Sequence, residues 1–232
     1  MTYVFTPAPV ASVPVAGSDA QFPVRRIYCV GRNYEAHARE MGHDPNREPP
    51  FFFAKPADAV VVVPEDTTGE FRYPSQTDDV HHEIELVVAL KSGGTDIDEA
   101  HALEHVFGYA VGLDMTRRDL QAEAKKAGRP WDTAKGFDGS APIGPLHRVE
   151  DIGQPVQGAI WLDVDGKQAQ RGDLRELIWS VAETIAYLSR FFELKAGDLI
   201  FSGTPSGVGP VKRGQLLEGG VEGVGQLRLQ VV

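Results

Sequence analysis

The chain has 232 residues, 42% hydrophobic and 24% charged, enough for one domain with a real core and too few for two large ones. A formal net charge of −10 disfavours nucleic acid and anionic membrane as partners, although a local cluster of Lys and Arg can still receive a small anion. One cysteine excludes an intramolecular disulfide, no apolar run approaches the ~18 residues of a membrane span, and residues 1–24 lack the pattern of a secretory leader, so a cytoplasmic location is expected.

Residues 1–24, rich in Pro, Ala and Val, read as an extended N-terminal segment with room for one strand, and residues 25–232 as the body. Arg26 to Val30 reads as a strand, with Cys29 as an inert core thiol. Asn33 is a suitable N-cap for a short helix over Tyr34 to Met41, stopped by Gly42. A proline-rich loop, His43 to Pro50, precedes strands at Phe51 to Ala54 and Val60 to Val63, and Glu65 to Asp79 reads as polar loop. From Glu83 to Leu90, the apolar Ile84, Leu86, Val88 and Leu90 alternate, which predicts a strand on which they share one face.

Asp96 with Glu99 predicts a capped helix through Val106, and Tyr109 to Asp114 a strand. Thr116 with Asp119 predicts a helix to Ala127, ended by Gly128. Asp165-Gly166, between Ala159 to Val164 and Gln168 to Gln170, is a hairpin signal. Asp173 with Glu176 opens the longest predicted helix, whose apolar face is Leu177, Val181, Ile185, Leu188 and Phe192, and Gly197 ends it. Leu199 to Ser202 and Leu227 to Val231 are the last strands. The expected fold class is mixed and mainly β, with short flanking helices.

The densest chemistry lies in His81-His82-Glu83-Ile84-Glu85. On a strand Glu83 and Glu85 point to one side, and carboxylates held that close repel unless a cation joins them. A solvent-facing polar stripe is the alternative, but Val87 and Ala89 continue the Glu face and are apolar. Oxygen-only ligands suit a hard ion such as Mg²⁺, Mn²⁺ or Ca²⁺. From this motif alone both readings stay open. Asp114, at the end of an apolar strand and before a helix, is a candidate third ligand or a simple capping acid. His37 and Glu40 stand at i, i+3, where a carboxylate would raise the histidine pKa and orient a general base; polar surface is the plainer reading of that spacing. Lys135 alone reads as surface, and Gly203 to Gly209 as a glycine-rich loop without the P-loop ending.

Taken in order, Cys29-Val30-Gly31-Arg32-Asn33-Tyr34, Lys55-Pro56, His81 to Leu86, Gly108-Tyr109 with Leu113 to Gln121, Ala134-Lys135-Gly136-Phe137 and Gly203-Thr204-Pro205-Ser206-Gly207-Val208-Gly209 resemble the fumarylacetoacetate hydrolase family. The resemblance spans residues 25–232. It implies a β-sandwich roll, a homodimer, and one Mg²⁺ or Mn²⁺ per subunit held by Glu83, Glu85 and Asp114. It places His37 and Glu40 on a lid helix as a catalytic pair and Lys135 in the metal pocket. Arg32, Lys55, Arg118, Gln121, Gly203 and Thr204 fall on substrate-side positions. The run Met41 to Pro45 with Pro49 to Asp58 resembles bacterial members that hydrolyse fumarylpyruvate. The implied reaction is metal-dependent cleavage of a C–C bond in a small anionic keto acid of the acylpyruvate type. Oxaloacetate decarboxylation, a hydroxymuconate-type isomerisation, and a non-catalytic metal-binding scaffold are the competing expectations.

Overall fold

The strand Ile84–Leu90 is buried along its whole length. Its alternation divides it between two cores: Ile84, Leu86, Val88 and Leu90 enter one, Val87 and Ala89 the other. A strand apolar on both faces has to be covered on both sides. The computed structural model, which describes residues 2–36 and 48–232, shows how this is done. Most of the helix expected over Tyr34 to Met41, including His37 and Glu40, lies outside the described residues.

Ile84–Leu90 sits in an eight-stranded sheet. Along one path the order is Phe51–Lys55, Arg26–Gly31, Asp198–Phe201, Ile84–Leu90, Val106–Leu113, Ala141–Ile143 and Val60–Val62, and His147–Arg148 also pairs with Val106–Leu113. A second sheet has the order Lys167–Asp173, Ala159–Val164, Leu216–Val221, Gly225–Val231 and Thr68–Phe71. Its inward residues Ile160, Leu162, Leu217 and Leu229 share the first core with Ile84, Leu86 and Leu113. The other face of the large sheet is covered by a hairpin, Ser12–Pro14 with Gln21–Pro23, whose Val13 and Phe22 pack with Ile27, Cys29, Leu199 and Phe201. Each such side chain contributes about 1.5–3 kcal/mol on full burial. The architecture is mainly β, as the sequence leads one to expect. Among the described residues no helix is long and apolar enough to cross a membrane.

A three-stranded sheet, Thr116–Arg117, Val80–His82 and Gly209–Val211, fixes the chain just before Glu83 and just after Asp114. The hairpin at Asp165-Gly166 is present, with both residues at positive φ, 50° and 71°.

Four expectations need correction. Thr68–Phe71, expected as loop, is a strand parallel to Gly225–Val231; only Phe71 is buried, so it carries no alternation to read. The long helix is two elements, because Asp173 caps only a 3₁₀ turn, Leu174–Glu176, and Leu177 is extended. A second capping box, Ser180 with Glu183, then opens Val181–Leu188. Asp98, not Asp96, caps Glu99–Ala102, which gives way to a 3₁₀ turn rather than running as one helix to Val106. Arg118–Ala127 begins without a side-chain cap: Asp119 instead accepts from the Thr77 hydroxyl and the Asp78 N–H.

Candidate metal centre and its cavity

Antiparallel pairing sets Ile84 against Leu113, and the Asp114 N–H donates to the Glu83 carbonyl at 2.8 Å. This brings Asp114 beside the two strand glutamates. One ligand oxygen from each of Glu83, Glu85 and Asp114 lies within 4.8 Å of the others, and all three residues are buried. Three buried carboxylates at that spacing are costly without positive charge.

The chain supplies part of that charge. The Lys135 ammonium donates to Glu83 Oε2 and Asp114 Oδ2, both at 2.7 Å. Lys55 Nζ stands 2.7 Å from Asp114 Oδ1, and also donates to the carbonyls of Met115 and Lys135. Arg118 Nη2 donates to Glu83 Oε1. Burial alone would lower the Lys135 pKa, but Asp114 and Glu83 prevail and hold it above its ordinary value, so it stays a cation. Two of its three N–H bonds are spent on acids, which leaves one for a ligand.

Glu85 is treated differently. Among the described residues it has no ion pair; Oε2 accepts only the Gly203 N–H, at 2.7 Å. Burial, then Asp114, then Glu83 push its pKa well above the usual carboxylate range. An all-oxygen set with one uncompensated acid fits a hard divalent cation, which would supply the missing charge at Glu85. It follows that binding such an ion displaces a proton from Glu85. Manganese titrations in two buffers of different ionisation enthalpy should therefore show net proton release, with affinity rising as pH rises above the ordinary carboxylate range. Equal heats in both buffers would contradict this.

Neighbouring groups hold the ligands in place. His81 donates from Nε2 to Asp79 at 3.0 Å and accepts the Arg118 Nε–H on Nδ1 at 3.3 Å, so a relay runs from Asp79 to Glu83. Arg118 also donates to Gln121 Oε1 at 2.5 Å. Gln170, fully buried on the opposing sheet, spends its whole amide behind Ile84. Its Oε1 accepts from His82 Nδ1 and the Ile84 N–H, at 2.8 and 3.1 Å. Its Nε2 donates to Thr204 Oγ1 and the Pro205 carbonyl, at 2.8 and 2.9 Å. Thr204 in turn donates to the Ile84 carbonyl at 2.7 Å. Gly203 sits at φ +101, and a Cβ there would stand 2.7 Å from the Asn33 Cβ. Any side chain would push the loop, and its N–H, away from Glu85.

The acids open into a cavity of about 270 Å³. Of the residues expected at the site, Glu83, Glu85, Asp114, Lys135, Arg32, Arg118, Gln121 and Thr204 line it. Lys55 and Gly203, expected on the substrate side, contact Asp114 and Glu85 instead. His37 and Glu40 lie outside the described residues. Sequence reading missed Lys125 and the aromatic wall of Phe51, Phe53 and Trp131, all of which line the cavity. Lys125 was within reach: Arg118, Gln121 and Lys125 are spaced i, i+3, i+7 on one helix face.

Residues 26–232 match the family described as fumarylacetoacetate (FAA) hydrolase C-terminal. The chain belongs to this family. A family structure, fumarylpyruvate hydrolase from Pseudomonas aeruginosa in complex with Mn²⁺ and pyruvate, is 60% identical with a TM-score of 0.98, covering 100% of this chain and 99% of that one. Oxaloacetate decarboxylase of Dictyostelium discoideum is 41% identical over 86% of this chain and 90% of its own. Oxaloacetate tautomerase YcgM of Escherichia coli is 41% identical over 87% and 90%. The family thus spans hydrolase, decarboxylase and isomerase chemistry.

Proposed function

We propose that the protein hydrolyses an acylpyruvate, with fumarylpyruvate giving fumarate and pyruvate. The likeness to the Pseudomonas aeruginosa enzyme over the full chain carries this reading, and the three-acid cavity supports it. Mg²⁺ or Mn²⁺ held by Glu83, Glu85 and Asp114 would supply Lewis acidity towards the pyruvoyl oxygens. Lys135 offers its remaining N–H to developing negative charge. Arg118, locked between His81, Gln121 and Glu83, keeps Glu83 oriented. His37 and Glu40, which lie outside the described residues, are assigned the base: His37 takes a proton from water as the water oxygen bonds to the carbonyl distant from the pyruvoyl end, and Glu40 stabilises the imidazolium. The C–C bond then breaks, its electron pair passes to the pyruvate carbon, and the proton taken from water is delivered there, giving pyruvate and the free acyl acid.

The relatives at 41% identity favour a second reading, tautomerisation or decarboxylation of oxaloacetate at the same site. The homodimer remains part of the proposal, to be checked by light scattering. A turnover panel of fumarylpyruvate, acetopyruvate and oxaloacetate with Mg²⁺ or Mn²⁺ decides between the reactions. The expected result is the highest kcat/KM with fumarylpyruvate. Turnover of oxaloacetate alone would replace hydrolysis with the second reading.

A further inference from the structure

Two of the cations lining the cavity are not used by the acids. Lys125 and Arg32 both face it, and among the described residues neither lies within ion-pair distance of a carboxylate. Each rests on an aromatic ring: Lys125 Nζ is 5.3 Å from the Trp131 centroid, and Arg32 Cζ is 4.8 Å from that of Phe51. The helix Arg118–Ala127 fixes where the lysine stands relative to the acids. Arg118 holds Glu83, and Lys125 lies seven residues on, about 10 Å along the axis at 1.5 Å per residue. One end of the slot is therefore the metal centre and the other is cationic.

The surface between the ends is apolar and fixed. Trp131 meets Phe51 edge-on at 5.5 Å between centroids, and Phe53 at 5.7 Å. Gly31 permits this, since a Cβ there would stand 2.0 Å from the Phe51 ring. Arg32, the next residue, takes the left-handed backbone at φ 56, a conformation that costs free energy in a residue with a side chain. Lys125 is exposed at the cavity mouth, yet loss of water on its cavity side, followed by Arg118 and Arg32, lowers its pKa. An anion at this end would relieve that repulsion.

We propose that Lys125 and Arg32 form a subsite for the distal carboxylate of the acyl chain, so that the site selects dicarboxylic acylpyruvates over those with a neutral tail. A planar unsaturated linker lies against the Phe51–Trp131 wall, and the pyruvoyl end lies at the three acids. With a neutral tail, no carboxylate among the described residues takes that place. This specificity rests on the acylpyruvate chemistry proposed above, and can be measured without turnover.

The test is calorimetric titration of the manganese-loaded protein with 2-oxopimelate and 2-oxoheptanoate. Both have seven-carbon chains and a pyruvoyl-type end, and they differ in a distal carboxylate against a methyl. Neither carries the second ketone that cleavage requires. Wild type should bind the dicarboxylate at least about tenfold more tightly, the contribution expected of a hydrogen bond to a charged group. Lys125→Gln and Arg32→Gln should each erase most of that preference while leaving 2-oxoheptanoate affinity within about twofold, which also reports an intact fold. Lys125→Arg should retain the preference. No preference in wild type, or a full preference in both glutamine variants, overturns the subsite. Wild-type preference lost in the variants, together with no turnover of fumarylpyruvate, supports the subsite and overturns the hydrolase reading instead.

Discussion

Glu85→Gln is expected to abolish manganese binding and turnover while leaving the metal-free protein at least as stable as the parent. Among the described residues Glu85 has no ion pair, and it accepts a hydrogen bond from the Gly203 N–H, which an amide oxygen accepts equally well. Removing its charge relieves repulsion with Asp114 and Glu83, the neighbours that help raise its pKa. Asp114→Asn should behave in the opposite way. It leaves Lys55 and Lys135 short of a counter-charge in a buried site, a loss on the order of 3–5 kcal/mol. The sign with pH follows from the raised Glu85 pKa. The stability it lends the metal-free parent is fully present below the ordinary carboxylate range and is lost as pH rises through the folded value. The melting temperature of Glu85→Gln should therefore exceed that of the parent by a margin that widens with pH. Scanning calorimetry of both metal-free proteins at several pH values measures this, alongside manganese titration. Manganese affinity equal to the parent's in Glu85→Gln would rule out the three-acid site.

The acid pair was legible because it rests on local pattern. Two-residue alternation puts Glu83 and Glu85 on one face, and Val87 and Ala89 mark that face as buried. Asp114 as their partner is a matter of register between two strands, set by the pairing of Ile84 with Leu113, and no local spacing encodes it. Several matched segments taken in order supplied what spacing could not. Gln170 shows the limit more sharply. It reaches Ile84 across 86 positions of sequence, from a strand on the other sheet, and nothing in its own neighbourhood announces that its amide is fully spent there. The helix break at Leu177 had a visible cue, since Ser180 and Glu183 repeat the pattern of Asp173 and Glu176. The continuous apolar spacing from Leu177 to Phe192 masked it. Thr68–Phe71 had no cue of its own, because a strand with one buried residue is polar enough to read as loop.

His37→Ala is expected to lower kcat for acylpyruvate hydrolysis by about two to four orders of magnitude, the usual contribution of a positioned general base. Among the described residues, few groups at the site can take the role. Lys135 is held protonated by Asp114 and Glu83. Lys55 is engaged by Asp114 and two carbonyls. His82 donates to Gln170, away from the acids, and His81 is occupied by Asp79 and Arg118. Manganese affinity should change little in His37→Ala, because the ligand set is complete without it. Glu40→Gln should have a smaller effect of the same kind: an amide can still orient the ring but does not stabilise the imidazolium. Loss of CO₂ from oxaloacetate needs a polarised ketone but no activated water, so His37→Ala should impair any such activity less than hydrolysis. The measurement is kcat for both reactions in the parent and both variants at saturating Mn²⁺. Hydrolysis at the parental rate in His37→Ala would remove the residue from the mechanism. With Lys135 fixed as a cation, the metal centre is then the source of water activation that the described residues offer.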